Sequence, residues 1–85
     1  DESNDENRPR IIFTDMRMPI MDGDEFTRRV RADSLFANIP IIMATSDELT
    51  TEFVQRMKDS GVSEVIPKPV LNQELIRSIQ RNLAA

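Results

Sequence analysis

The chain has 85 residues, 39% hydrophobic and 31% charged, a mixture that suits one small globular domain and excludes a disordered chain. A net charge of −4 argues against nucleic acid as a partner, because phosphate binding calls for a basic surface. The absence of cysteine and histidine excludes disulfides, thiolate metal sites, imidazole bases and most zinc sites. Residues 1–9, DESNDENRP, are polar and mostly acidic, and are expected to form a leader or loop ahead of a domain at residues 10–85. Residues 10–14 are nearly all apolar, β-branched or aromatic, which predicts a buried strand. Pro19 and the pair Asp22-Gly23 predict a loop, and residues 24–32 a helix with Phe26 and Val30 facing inward and acids at its start to suit the helix dipole. After a connection over residues 34–38, the run PIIMAT at residues 40–45 predicts a second buried strand. Residues 48–59 predict a second helix with Leu49, Phe53, Val54 and Met57 on one stripe, ended by Gly61. A short third strand over residues 63–66 leads into Pro67-Lys68-Pro69. The last helix is expected to start with Asn72 as its N-cap and to bury Leu75, Ile76, Ile79 and Leu83.

Strands alternating with helices of this size predict an α/β domain of right-handed βαβ units on a parallel sheet. In such sheets the chemistry gathers beyond the carboxyl ends of the strands. Asp15, Thr45, Ser46 and Lys68 should therefore converge there. An acid, a hydroxyl and an ammonium at adjacent strand ends suit phosphoryl transfer. The carboxylate can act as a nucleophile, while the ammonium and hydroxyl hold phosphoryl oxygens. The main-chain N–H groups of Met16 and Ser46 are candidate further donors. Plainer roles stand beside these. Asp15 can be a strand-end turn former, Thr45 and Ser46 can cap the second helix, and Lys68 can be a solvated loop lysine. Met16, Met18, Met21 and Met43 read as packing, and Arg28-Arg29-Val30-Arg31 as a solvated helix face. No apolar run reaches membrane-spanning length and no signal peptide is recognisable, so a cytoplasmic protein without membrane contact is expected. The first residue is Asp1 rather than Met, as in a piece of a longer protein.

The run DMRMPIMDG at residues 15–23 resembles the phosphoacceptor loop of response-regulator receiver domains, with PIIMATS at residues 40–46 and PKP at residues 67–69 following in family order. The resemblance covers residues 10–85 and implies a flavodoxin-like, doubly wound parallel sheet. It implies that Asp15 accepts a phosphoryl group from a histidine kinase or a histidine phosphotransfer protein, in a Mg²⁺-dependent reaction followed by acyl-phosphate hydrolysis. By the same resemblance Thr45 is the switch hydroxyl, Lys68 contacts the phosphoryl group, and the Lys68-Pro69 peptide is cis. The Arg17 carbonyl joins Asp15 as a Mg²⁺ ligand, and Arg17 and Asp47 occupy the positions that tune acyl-phosphate lifetime. The output surface is implied to be the second helix, third strand and last helix.

Two departures stand out. The first strand of such domains, which ends in an acidic metal-binding pair, has no counterpart, so a sheet of three strands and three helices is expected. Asp1-Glu2 and Asp5-Glu6 are acidic pairs with no apolar strand to aim them. Val65 stands at the position of the switch aromatic. An aspartyl-phosphate phosphatase would need an acid where Arg17 stands. A receiver-derived module that assembles without phosphorylation is the alternative. Either way, the strand at residues 10–14 should present an open edge suited to self-association or to a complementary fragment.

Overall fold

The structure, a computed structural model, describes residues 9–84. Most of the expected acidic leader, including the pairs Asp1-Glu2 and Asp5-Glu6, lies outside the described residues. Strands β1 (Ile12–Asp15), β2 (Ile41–Thr45) and β3 (Glu64–Pro67) form one parallel sheet in that order. Helices α1 (Gly23–Ala32), α2 (Thr51–Ser60) and α3 (Asn72–Ala84) follow the strands in turn, and a short 3₁₀ turn at Ser34–Phe36 lies within the connection before β2. Ile12 stands opposite Ile41 and Asp15 opposite Ala44, while Ile42 faces Glu64 and Thr45 faces Pro67.

The strand boundaries follow the ladder rather than the apolar run. The Ile12 N–H donates to the Pro40 carbonyl at 2.9 Å and the Met16 N–H to the Ala44 carbonyl at 3.1 Å. Pairing thus begins two residues later than the apolarity of residues 10–14 suggests, and it takes in Asp15 as the last strand residue. The expectation that β1 is buried also needs correction. Central β2 has Ile41, Ile42 and Met43 fully buried, whereas Phe13 in β1 is 48% exposed. Among the described residues β1 has a neighbour on one side only.

The core gathers Met16, Met43, Met57 and Val62, with Phe53 and Val65 packed against it, so Met16 and Met43 are packing residues as read. Helix α2 starts later than its periodicity suggests. Thr50 is its N-cap and its hydroxyl accepts the Phe53 N–H at 3.0 Å, which leaves Leu49 outside the helix and exposed. Neither Thr45 nor Ser46 caps it. Gly61 ends α2 in the left-handed region, with φ of 113°, as a C-terminal glycine should.

Arg31 does not belong to a solvated face. Its Nε and Nη2 donate to the Gly61 carbonyl at 3.0 and 2.8 Å. Its Nη1 donates to the carbonyls of Phe36, Ala37 and Ile39 at 3.0, 3.1 and 2.6 Å. One guanidinium thereby joins the end of α1, the connection to β2 and the end of α2, where a cation suits the helix dipoles. Arg28 reaches α2 as well, donating to Ser60 Oγ at 3.2 Å.

Helix α3 departs most from its periodicity. Ile76 and Leu83 are 53% and 48% exposed, and the fully buried residue is Ser78. Asn72 lies inside the first turn, because the Leu71 carbonyl accepts the Leu75 N–H at 2.9 Å. A polar pin sets the rotation of the helix. Glu64 at the start of β3 accepts hydrogen bonds from Ser78 Oγ and Asn82 Nδ2, both at 3.0 Å, and pairs with Arg81. That pin brings the polar edge of α3 to the sheet in place of part of its apolar stripe.

Burial by itself raises the Glu64 carboxyl pKa, but hydrogen bonds from Arg81, Ser78 and Asn82, with the Arg81 charge, outweigh it and leave the group below its ordinary value. A depressed folded pKa gives stability that is present above the unfolded value and is lost as pH falls through the folded one. Acidification below about pH 4 should therefore lower the urea midpoint of the wild type more than that of Glu64→Gln. Parallel losses in the two proteins would show that Glu64 does not carry this dependence.

Candidate functional site

The parallel order brings the carboxyl ends of all three strands to one edge. Asp15 ends β1, Thr45 ends β2, and Lys68 directly follows β3. Lys68 Nζ crosses the end of β2 to lie 2.8 Å from Asp15 Oδ1, with the two side chains 41% and 52% exposed. A carboxylate this open can receive an incoming group, and the ammonium beside it supplies one positive charge. The Lys68 N–H donates to the Thr45 carbonyl at 2.8 Å, which fixes the start of the lysine loop against β2, and the Lys68-Pro69 peptide is cis.

Thr45 is buried, and its Oγ1 accepts the Asp47 N–H at 2.9 Å. A hydroxyl held through its lone pair keeps its own proton available to a further acceptor. Ser46 is exposed at the start of the β2–α2 loop. The Met16 N–H already donates within the sheet, to Ala44, so of the two main-chain groups read as candidate donors it is engaged elsewhere. Val65 packs against the core cluster rather than standing free at the edge.

Arg17 and Asp47, read from separate motifs, meet across the mouth of the site. Arg17 Nη2 lies 3.2 Å from Asp47 Oδ2, and Nη1 lies 3.6 Å from Asp22 Oδ2. Asp22 is the N-cap of α1, yet its side chain makes no capping hydrogen bond. Its carboxylate faces Arg17 instead.

Asp22 and Gly23 are the residues whose roles the sequence reading missed. The pair reads as a loop and as the close of the DMRMPIMDG run, with no individual role for either residue. Gly23 opens α1, and its N–H donates to the Met16 carbonyl at 2.7 Å. A Cβ there would lie 2.4 Å from the Asp15 carbonyl and 2.9 Å from Met43 Cε. The glycine thus lets the start of α1 sit directly on the strand end that carries Asp15. The available signal was a glycine at the entry to a helix, where Ala would ordinarily be preferred.

Among the described residues no group of three or more acidic or sulfur or imidazole side chains is gathered as a metal site, and no helix is long and apolar enough to cross a membrane. Asp15 and the Arg17 carbonyl are an oxygen-only pair, the donor type a hard cation such as Mg²⁺ accepts, but they form only part of a coordination shell.

The family model for the response regulator receiver domain matches residues 2–80. The chain is 37% identical over 71 residues to the chemotaxis protein CheY1 of Helicobacter pylori, covering 84% of this chain and 56% of that protein. It therefore spans just over half the length of that relative. Among solved structures, the Vibrio cholerae chemotaxis protein CheY4 superposes with a TM-score of 0.82 at 32% identity, covering 96% of this chain and 68% of that one. The receiver domain of the Pseudomonas aeruginosa sensor histidine kinase PA1611, solved with a magnesium ion coordinated in its active-site cleft, gives 0.77 at 30% identity, over 96% of this chain and 68% of that one. These likenesses place the sheet in the open flavodoxin-like class, here with three strands and three helices.

Gly23→Ala should lower stability despite the better helix propensity of alanine. Overpacking against backbone costs about 1–3 kcal/mol, which exceeds the gain of up to about 1 kcal/mol from propensity. A raised urea midpoint in this variant would show that α1 can withdraw from Asp15 freely.

Proposed function

We propose a phosphoacceptor function for Asp15 on one premise: the chain belongs to the response regulator receiver domain family. The observation that carries the reading is the half-exposed Asp15 carboxylate with Lys68 Nζ 2.8 Å away, at the carboxyl edge of a parallel sheet. An Asp15 oxygen attacks the phosphorus of a phosphohistidine on a histidine kinase or a histidine phosphotransfer protein. The P–N bond breaks and the imidazole leaves, taking up a proton, so that an acyl phosphate stands on Asp15. Water later attacks that phosphorus, and Asp15 and inorganic phosphate are released. Lys68 balances charge on the phosphoryl oxygens throughout, and the Thr45 hydroxyl donates to one of them. The Ser46 N–H is a further donor, with Met16 joining only if its sheet hydrogen bond opens. Arg17 and Asp47 set how long the acyl phosphate lasts.

Mg²⁺ is the cation this chemistry takes, and it would supply charge neutralisation at the transferring phosphoryl group. Asp15 and the Arg17 carbonyl are the described groups that would bind it. The open Asp15 and its lysine favour this reading over an assembly module that is never phosphorylated. The surface of α2, β3 and α3 is the output face for a downstream effector, and the protein works in the cytoplasm. The edge of β1 that has no neighbour among the described residues takes a strand from a second copy or from a complementary segment. Phe13, 48% exposed, stands on that strand.

With acetyl phosphate and Mg²⁺, label should enter the protein at Asp15, and Asp15→Asn should abolish it. Lys68→Ala should slow labelling by about a hundredfold, the loss typical of a removed charge-stabilising group. Thr45→Ala should still be labelled but should change the lifetime of the label. Full labelling of the Asn variant sinks the assignment. The edge proposal is checked separately by sedimentation of the 85-residue chain at low micromolar concentration. A dimer is expected there, and a cooperatively folded monomer refutes it.

A further inference from the structure

We infer that Arg17 is an electrostatic relay: it straps the β2–α2 loop to the Asp15 loop through Asp47, and a phosphoryl group on Asp15 draws it off. The inference rests on the phosphoacceptor reading of Asp15.

Three observations carry it. Arg17 lies two residues after Asp15, and its guanidinium is shared between Asp47 on the opposite loop, at 3.2 Å, and Asp22 at the start of α1, at 3.6 Å. Asp22 makes no side-chain cap to its own helix, so its carboxylate remains free to hold the strap. Asp47, at the far end, donates its main-chain N–H to Thr45 Oγ1 at 2.9 Å. A continuous path therefore runs from the Asp15 loop through Arg17 and Asp47 to the buried hydroxyl of β2. Among the described residues, no other side-chain hydrogen bond or ion pair joins the two loops.

The strength of the strap suits release. Arg17 is 69% exposed and Asp47 29%, and pairs this open are weak and screened by salt. A phosphoryl group on Asp15 carries more negative charge than the single carboxylate of Asp47, and its oxygens match the fork of a guanidinium. Residues two apart are separated by at most about 7 Å between Cα atoms, within reach of an extended arginine side chain. Once Arg17 turns inward, Asp47 loses its ionic partner and residues 46–50, which lead into α2, lose their tie to the opposite loop. Phosphorylation is thereby read as a loosening of that segment. The relay needs no rotation at position 65, where Val65 is packed into the core.

The test is amide hydrogen exchange over residues 46–50 of the protein, before and after labelling with acetyl phosphate and Mg²⁺, compared at equal Asp15 occupancy. In the wild type, labelling should speed exchange about two- to fivefold, the range an exposed ion pair commands. Unlabelled Asp47→Asn and Arg17→Gln should already exchange at the faster rate, with labelling adding nothing, whereas Arg17→Lys should keep a reduced response. Salt at about 1 M should bring the unlabelled wild type to the rate of Asp47→Asn. If Asp47→Asn exchanges like the unlabelled wild type, or Arg17→Gln responds to labelling as the wild type does, the relay is overturned while the phosphoacceptor reading stands. If no label reaches Asp15 in the wild type, that reading fails and the relay falls with it.

Discussion

An ammonium on the loop after β3 can touch a carboxylate at the end of β1 only if those two strands run the same way and stop level with one another. That constraint governs the molecule. β2 lies between them, and its own contribution to that end of the sheet is Thr45. The pairing of Asp15 with Ala44, and of Thr45 with Pro67, sets the levels. A slip of one residue would reverse the face to which every side chain in the slipped strand points.

Close approach at one end of the sheet is balanced by polar ties away from it. Gly23 allows α1 to begin against the Asp15 carbonyl, a contact that no side chain could share. Arg31 gathers the ends of both α1 and α2 through carbonyl oxygens, and Glu64 holds α3 to the start of β3. These ties use charged groups on backbone or side-chain partners in place of additional apolar burial, which fits a chain of this size with a small core of isoleucine, methionine and valine.

The loops at the edge are governed by charge more than by packing. Lys68 faces one acid and Arg17 faces two, and each of these pairs is open to water. Such pairs add little to folding stability, but they respond strongly to an added charge. An edge built this way stays folded through its backbone ladders while its surface ion pairs rearrange. Folding and the proposed response to a phosphoryl group would therefore draw on different interactions, and the residues that hold the sheet together, Ile41, Ile42 and Met43, stand apart from those that would read that group.

Much of this was legible in the residues themselves. The alternation of apolar runs with helical stripes determined the element order, because each type of element buries its apolar side chains with its own period. Strand ends in a parallel sheet converge, so Asp15, Thr45 and Lys68 could be assigned to one edge, and Gly61 marked the end of α2 through the left-handed conformation it adopts. What the sequence could not settle depends on partners distant along the chain. Arg31 looks like any solvated helix cation until the carbonyls of Phe36, Ala37, Ile39 and Gly61 are folded around it. The α3 stripe pointed Ile76 and Leu83 inward, but both are exposed, and Ser78 and Asn82 meet Glu64 through hydrogen bonds on the side that faces the sheet. Arg17 and Asp47 are 30 positions apart, and local pattern holds no record of their meeting. Periodicity reports which face of an element is apolar, a property each segment carries alone. Only the tertiary structure decides which polar groups meet, because that depends on where other segments bring their donors and acceptors.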